Sequence, residues 1–466
     1  MFNSRTQQNI EAMSLNVVIL AAGQGTRMHS EVPKVLHKLG GRPMLAHCID
    51  TARQLDAAQI MVVHGYAGEQ VRASINDDEI VWLEQAEQLG TGHAVQQAES
   101  QLNKNTDSKT LILYADVPLV QAATLHQLLD SAAACCVLTC VLDSPSGYGR
   151  IVRNQQQQVM SIVEEKDADP HQRKIREINT GIISADTQHL LTWLKRLKNN
   201  NAQQEYYLTD CIAMAVEENV PVEAVMCAHA PEVSGINNRI QLAQAEAYYQ
   251  QRERESLMRH GVTLKDPATT YIEGIVEVAA DTEIEPSVSL RGAVKLAKNV
   301  RIGMNSVIID STIAAGTIIH PNSHIENASI GAHCEIGPFA RIRAQTELAD
   351  QVKIGNFVET KKTSIGQASK VNHLSYVGDA QIGAHSNIGA GTICCNYDGA
   401  NKHQTIIGDN VFIGSDSQLV APVSIHDGAT IGAGSTITED APAHKLTLSR
   451  SKQATVDHWQ RPKKNK

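Results

Sequence analysis

Three groups of residues in this chain have the types and spacing to do chemistry. The first follows an apolar run, Leu15 to Leu20, which breaks directly into AAGQGTRM (Ala21 to Met28). Gly23, Gly25 and Thr26 let backbone N–H groups approach a polyphosphate, and Arg27 and Lys34 add positive charge where a pyrophosphate would develop. The loop is no P-loop, because GxxxxGK[ST] is absent, and no dinucleotide fingerprint, because Met28 replaces the third glycine. The alternative is a tight strand-to-helix turn with two solvated basic residues. The second group is Asp116 in YADVP, after the apolar run LILYA. A carboxylate there suits a Mg²⁺ that keeps several waters; the alternative is a turn or cap residue. The third centres on His373 in KVNHLSYVGD, with Lys361, Lys362, Tyr376 and Asn387 nearby. An amine must attack a thioester in its neutral form, and a histidine titrating near the working pH can take its proton. The alternative is one surface histidine among 19.

Two unlike scaffolds must position these groups. From Leu15 to about Asn238, short β-rich runs alternate with amphipathic stretches, as in Val17–Leu20, Met44–Leu55, Ile60–Val63, Thr91–Leu102 and Leu111–Tyr114. That alternation predicts an α/β fold with a doubly wound, Rossmann-like sheet, in which ligands bind beyond the carboxyl ends of the strands. AAGQGTRM and Asp116 both occupy such positions. Arg239 to His260 contains no proline or glycine and reads as one polar-faced connecting helix that stops at Gly261.

Beyond it an apolar residue returns at every sixth position: Ile330, Ile336, Ile342, Leu348 and Ile354, then Ile407, Ile413, Leu419, Ile425, Ile431 and Ile437. Glycine follows at 331, 337, 355, 408, 414 and 432. Such a period is the mark of hexapeptide repeats and predicts a left-handed parallel β-helix, each rung stacking an aliphatic side chain on the next. Five-residue slips separate Ile302/Ile308 from Ile313/Ile319/Ile325, and the beat lapses between Ile388 and Ile407. There CCNYDGANKHQT (Cys394 to Thr405) predicts a loop leaving the coil. The expected division is a polar extension over 1–12, a first domain over 13–238, a linker helix over 239–260, and a β-helix with a C-terminal tail over 261–466.

Composition narrows the function classes. At 466 residues the chain exceeds one hydrophobic core, and its net charge of −9 without a dense basic stretch argues against nucleic acid as a partner. Nine cysteines show neither paired CxxC motifs nor regular disulfide spacing, which suits reduced thiols in the cytoplasm. No apolar run approaches the ~20 residues that span a bilayer, so no membrane insertion is expected. His320, His324 and His333 beside Cys334 read as a solvated face, because their spacing does not converge on a metal.

LAAGQGTRM with Pro33-Lys34, QAEQLGTGHA (Gln85 to Ala94), YADVP, GYGRI (Gly147 to Ile151), EINTGI (Glu177 to Ile182) and EYYLTD (Glu205 to Asp210) resemble the uridyltransferase half of a known bifunctional family. Its members are N-acetylglucosamine-1-phosphate uridyltransferases and glucosamine-1-phosphate acetyltransferases. With the hexads, the resemblance covers nearly the whole chain from Met13. It implies that Leu20, Ala21, Ala22, Gly23, Gly25, Thr26 and Tyr114 line a site for UTP and sugar phosphate, with Arg27 and Lys34 on the phosphates. Gln85, Gly90 and Thr91 would read uracil. Gly149, Glu164 and Asn179 would hold the amino-sugar phosphate, and Asp116 and Asn237 would coordinate Mg²⁺. KVNHLSYVGD resembles the family's acetyltransferase site, implying that His373 is the general base and that Arg343, Lys361, Tyr376 and Asn387 bind glucosamine-1-phosphate. Acetyl-CoA would meet Ala390, Asn396, Tyr397, Ser415, Ala433 and Arg450. The resemblance also implies a homotrimer with the acetyl site between subunits, and UDP-N-acetylglucosamine, a bacterial envelope precursor, as the product.

Four positions depart from the family pattern: Gln24 where lysine is usual, Ala115 and Gln204 where glycine is usual, and Ala344 where proline often follows the arginine. The rival readings are a monofunctional sugar-nucleotide pyrophosphorylase whose β-helix is structural or regulatory, and a noncatalytic scaffold. His373, Asn387 and the Asn396-Tyr397 loop speak against the first, and Arg27, Lys34, Asp116 and Asn237 against the second.

Overall fold

A computed structural model describes residues 13–462 and 464, apart from Gln24 and Tyr66. The expected polar extension over 1–12 and the Gln24 departure lie outside the described residues. The chain divides into two compact units, one ending at Tyr249 and the other starting at Gln250.

The first unit is built on a nine-stranded mixed sheet. Its strands are β1 (Ser14–Ala21), β2 (Gln59–His64), β3 (Val81–Glu84), β4 (Ser108–Tyr114), β5 (Cys135–Val141), β6 (Arg150–Arg153), β7 (Val159–Val163), β8 (Glu177–Asp186) and β9 (Val222–Met226). The spatial order is β9-β5-β8-β4-β1-β2-β3, with the β6–β7 hairpin attached to β8. Strand β1 runs parallel to both neighbours, with Val17 opposite Ile60 and Leu111. The chain order reverses on its two sides, which makes the carboxyl end of β1 a topological switch point.

Because strand side chains alternate, β1 feeds two cores. Val17 and Ile19 join Leu111, Leu113 and the helix Met44–Arg53 on one face. Val18 and Leu20 join Ile112, Met61 and the helix Thr187–Leu194 on the other. The expected stretch Thr91–Leu102 is two short helices, Thr91–Gln96 and Glu99–Leu102, meeting at Ala98. Of the departures, Ala115 is fully buried in the first of these cores, whereas Gln204 holds a left-handed backbone at φ 57°.

A helix spans Arg239–Arg259, and Gly261 follows at φ +88° with its N–H on Met258 O. The division at Tyr249 falls within this helix.

The second unit is a parallel β-helix. One column of aliphatic side chains runs in register through Ile284, Ile302, Ile319, Ile336, Ile354, Val371, Ile388, Ile413 and Ile431. The five-residue slips keep their apolar residues inside, since Ile308 and Ile313 are both fully buried. Buried hydroxyls beside the column tie the coil together: Thr317, Ser369 and Ser386 donate to Gly331 O, Gly383 O and Gly408 O at 2.8, 2.6 and 2.8 Å. Hydrogen bonding of this kind makes polar residues tolerable in a narrow interior.

The loop between Cys394 and Thr405 is shorter than the sequence suggested. Cys394 is in the core opposite Leu419, and Thr405 pairs with Ala380 and Val423. Only the segment between them leaves the coil, closed by a Tyr397–Lys402 bridge.

A non-glycine residue in the left-handed region costs about 1–2 kcal/mol, partly offset by the extra unfolded-state entropy of glycine. Gln204→Gly should therefore stabilise the first unit by up to about 1 kcal/mol. A thermal melt showing an unchanged or lower Tm would contradict this.

Candidate functional site

The loop after β1 and the segment after β4 meet at a cavity of about 250 Å³. Ten sequence-predicted residues line it: Leu20, Ala21, Ala22, Gly23, Lys34, Gln85, Gly90, Thr91, Tyr114 and Asp116. Val35, Gln88, Ala94 and Glu205 complete the wall, and sequence reasoning did not select them. No long helix follows the glycine loop, contrary to the strand-to-helix alternative: Thr26–Met28 and Lys34–Leu36 are single 3-10 turns. An anion here meets loop amides and cations rather than a helix end. A Cβ on Gly25 would lie 2.5 Å from Lys34 Cβ, so glycine lets the loop lie against the lysine.

Four predicted residues form one polar cluster. Lys34 Nζ donates to Asn237 Oδ1 at 2.7 Å and is ion-paired with Asp116. Arg27, itself exposed, donates to the same Asn237 oxygen at 2.9 Å across 210 positions of sequence. Ile236 N–H donates to Asp116 O at 2.8 Å, which ties the segment before Asn237 to the end of β4. Two side-chain oxygens, one ionised and one neutral, thus converge on a single ammonium. Among the described residues no group of three or more His, Cys, Asp or Glu could cage a metal. The donor set fits a divalent cation that takes one or two protein oxygens and fills its shell with water and phosphate.

On the opposite side, the buried Gln85 amide donates to Gly90 O at 3.1 Å. Gly90 has φ +111°, and a Cβ there would meet Tyr206 O at 2.7 Å, so only glycine lets this turn approach EYYLTD. Thr91 Oγ1 accepts from Leu208 N at 3.2 Å.

Gly149, Glu164 and Asn179 do not line the cavity but form a second group. A bulge in β8 between Asn179 and Ile183 turns Asn179 towards β6, where its N–H donates to Gly149 O at 2.9 Å. Both Glu164 oxygens lie 3.4 Å from where a Gly149 Cβ would stand. Thr209, within EYYLTD but not singled out from sequence, donates to Glu164 Oε1 at 3.2 Å. Burial pushes the Glu164 carboxyl above its ordinary pKa, with Asp167, Asp210 and Glu205 adding to the rise. Burial raises the Tyr114 phenol as well, followed by the Glu164 charge.

In the β-helix, His373 ends the strand Lys370–His373 and is exposed. Its Nδ1 lies 2.6 Å from Asn356 Oδ1 on the rung before; the neutral tautomer that donates from Nδ1 to this oxygen has the Nε2 lone pair free. Asn356 escaped sequence reasoning; its place in hexad register with His373 was the available signal. The corner carrying His373 stacks through the chain: Gly391 N donates to His373 O at 3.2 Å, Asp416 N to Ala390 O at 2.7 Å, and Gly434 N to Ser415 O at 2.8 Å. His373, Ala390 and Ser415 therefore share a corner, and Ala433 adjoins it beside Gly434.

The β-helix strands form an eleven-stranded sheet, which carries the aliphatic column, and a fifteen-stranded sheet, on which another group lies. Arg343 donates to Glu359 Oε1 at 2.7 Å, and Glu359 is in register with Tyr376. Asn396 Nδ2 lies 3.4 Å from the Tyr376 hydroxyl. Lys361 lies beside Lys402, and the contact of the two amines, together with their like charge, holds the Lys361 pKa below the ordinary lysine value. Asn387 is not brought to this group, because it pairs with Lys370 and Phe412 on the eleven-stranded sheet. Tyr397 is exposed with its hydroxyl on Gly399 O, and Arg450 is exposed past the last coil. A polar cavity of about 500 Å³ lies alongside, lined by Lys362 of the His373 group, by Asp379 at the end of KVNHLSYVGD, and by Lys402 and His403 among others, with none of the residues expected to bind sugar phosphate or acetyl-CoA.

The fold and the first cavity describe a nucleotidyltransferase joined to a hexapeptide-repeat transferase. Residues 17–194 match the model of the MobA-like NTP transferase domain, 272–365 that of the GMPPB C-terminal domain, and 404–439 that of the bacterial transferase hexapeptide, six repeats. The chain is 53% identical over 453 residues to the bifunctional protein GlmU of Marinobacter nauticus, covering 97% of this chain and 99% of that one. It is 55% identical over 452 residues to the bifunctional protein GlmU of Methylobacillus flagellatus, with 97% and 98% covered. The corresponding protein of Chromobacterium violaceum is 52% identical, with 97% and 99% covered. The chain belongs to the bifunctional GlmU family. It is an enzyme of UDP-N-acetylglucosamine synthesis, with nucleotidyltransferase and acyltransferase activities.

The raised Glu164 pKa has a consequence for stability. The folded state holds this proton more tightly than the unfolded chain, so the associated stability is present at low pH and is lost as pH rises through the folded value. Glu164→Gln, which can still accept from Thr209, should melt higher than wild type at pH 8, with the gap closing towards pH 4. A gap that is absent at pH 8, or widest at pH 4, would contradict it.

Proposed function

We propose that the first unit transfers the uridylyl group of UTP to N-acetylglucosamine-1-phosphate and that the second first makes this substrate by acetylating glucosamine-1-phosphate. The observation that carries the first assignment is the convergence of Arg27, Lys34, Asp116 and Asn237. A sugar-phosphate oxygen attacks the α-phosphorus of UTP, a P–O bond forms, and the bond to pyrophosphate breaks. Such a reaction asks for alignment and charge neutralisation rather than covalent help. Arg27 and Lys34 neutralise the departing pyrophosphate, and the loop from Leu20 to Thr26 wraps the phosphates. Gln85, Gly90 and Thr91 hold uracil. Glu164 accepts hydrogen bonds from the amino sugar, with Gly149 and Asn179 orienting it. Asp116 and Asn237 would hold Mg²⁺, which when bound neutralises phosphate charge.

In the second unit the His373–Asn356 bond supports the general-base role. The glucosamine amine attacks the thioester carbonyl of acetyl-CoA, Nε2 of His373 takes its proton, and collapse of the adduct breaks the C–S bond to release the CoA thiol. Arg343, Lys361, Tyr376 and Asn387 bind the sugar phosphate. Ala390, Asn396, Tyr397, Ser415, Ala433 and Arg450 meet acetyl-CoA. The separation of Asn387 from Tyr376 on different sheets, with Tyr397 and Arg450 exposed, supports a homotrimer whose neighbours complete the site. No described helix is long and apolar enough to cross a membrane. Nine unpaired cysteines, eight of them buried, suit a reducing cytoplasm.

Asp116→Ala should abolish uridylyl transfer while sparing acetyl transfer, and His373→Ala should do the reverse. Pyrophosphate release from UTP and thiol release from acetyl-CoA, measured on the same preparations, check both. Loss of both activities in either folded variant would contradict the separation. Asn356→Asp places a carboxylate against Nδ1–H, which favours the imidazolium. The acidic limb of the acetyl-transfer pH profile should then move up by about one unit. An unmoved limb would remove His373 as the titrating base.

A further inference from the structure

One corner of the β-helix carries a column of left-handed residues. Gly274 and Gly292 begin it at φ 88° and 74°, followed by Asp310, Asn327, Gln345, Lys362 and Asp379 at φ 44°, 47°, 62°, 47° and 50°. Asp and Asn are common in this conformation because a short polar side chain can bond locally. Asp310 reaches back to the rung before, accepting from the backbone N–H of Ala293 at 2.8 Å.

The carboxylate of Asp379 reaches forward instead. Its Oδ2 accepts from Asn396 Nδ2 at 2.6 Å, where the chain is about to leave the coil, and both residues are buried. The same amide lies 3.4 Å from the Tyr376 hydroxyl. A Cβ on Gly378 would collide with that hydroxyl and with the Asn396 amide, so the three polar groups close over bare backbone. Lys362 stands 3.8 Å from the other Asp379 oxygen. The carboxylate thus sits at the join between the strand that carries Tyr376 and the loop that begins at Asn396.

We propose that Asp379 is a positioning residue of the acetyl-transfer site, fixing the Asn396 amide so that the acetyl-CoA loop and the sugar-side phenol of Tyr376 keep one alignment. The inference rests on the acetyltransferase reading of this unit. Asp379 acts through Asn396: a hydrogen bond to a buried charge is stronger than one to a neutral acceptor, and its loss leaves the loop root free to turn.

The test is thiol release from acetyl-CoA by the full chain with glucosamine-1-phosphate, beside uridylyl transfer by the same preparations. Asp379→Gly removes the carboxylate where glycine is at ease with φ 50°. It should lower kcat/KM for acetyl-CoA about tenfold to a hundredfold, leaving uridylyl transfer unchanged. Asp379→Asn keeps an acceptor oxygen and should recover most of the loss. In an Asn396→Ala background, Asp379→Gly should cost nothing further, because the two changes remove one interaction. Full activity in Asp379→Gly, or an undiminished extra loss in the Asn396→Ala background, would overturn the proposal while leaving the acetyltransferase reading intact. Absence of thiol release from the wild-type chain would overturn both together.

Discussion

In-register parallel pairing of short strands places the phosphate loop beside Asp116 and His373 over Asn356. In the first unit it aligns the carboxyl ends of β1 and β4, so that the loop after Ala21 and the residues after Tyr114 emerge side by side. In the second it sets each rung over the last, so that corners stack into columns and His373 falls over Asn356. The pairing has a strict physical basis: parallel strands satisfy their backbone groups only in matched register, and a slip of one residue would turn every side chain to the other face. The five-residue slips and the excursion after Cys394 are absorbed at corners, and the aliphatic column continues unbroken.

Each candidate site gathers charge that its own surroundings do not neutralise well. Glu164 is held above its ordinary pKa by burial and by three further carboxylates. Lys361 is held below its own by the adjacent Lys402. Lys34 is ion-paired with Asp116 and Arg343 with Glu359, and Asp116 doubles as a candidate metal ligand. Groups set apart in this way cost stability in the free chain and gain it back when a ligand of opposite character arrives, which is why shifted titrations gather at functional sites. The β-helix core differs. Its interior hydroxyls are bonded from rung to rung, so its polar content stabilises the coil.

Much was legible in the sequence because it depends on local pattern. A six-residue beat has one compact solution, so the coil could be read from Ile330 onward without knowing its contacts. The glycine loop, Asp116 and His373 were recognisable because each sits at a fixed offset from an apolar run. Local pattern failed where a partner came from elsewhere. Thr209 beneath Glu164 and Lys402 against Lys361 carry no signal of their own, Asn356 beside His373 shows only as a register position, and the extent of the loop after Cys394 depended on which cysteine the core could accept.

The sequence by itself determined the two architectures, the order of their motifs and the residue types available for phosphate and acyl chemistry, because these follow from periodicity and short-range sterics. Tertiary structure alone decided that Lys34 bridges Asp116 and Asn237, that Nδ1 of His373 meets Asn356 Oδ1, and that Asn387 stands on a different sheet from Tyr376. These are relations between residues on different strands or rungs, and only closure of the sheet and winding of the coil bring such residues to hydrogen-bonding range or keep them apart.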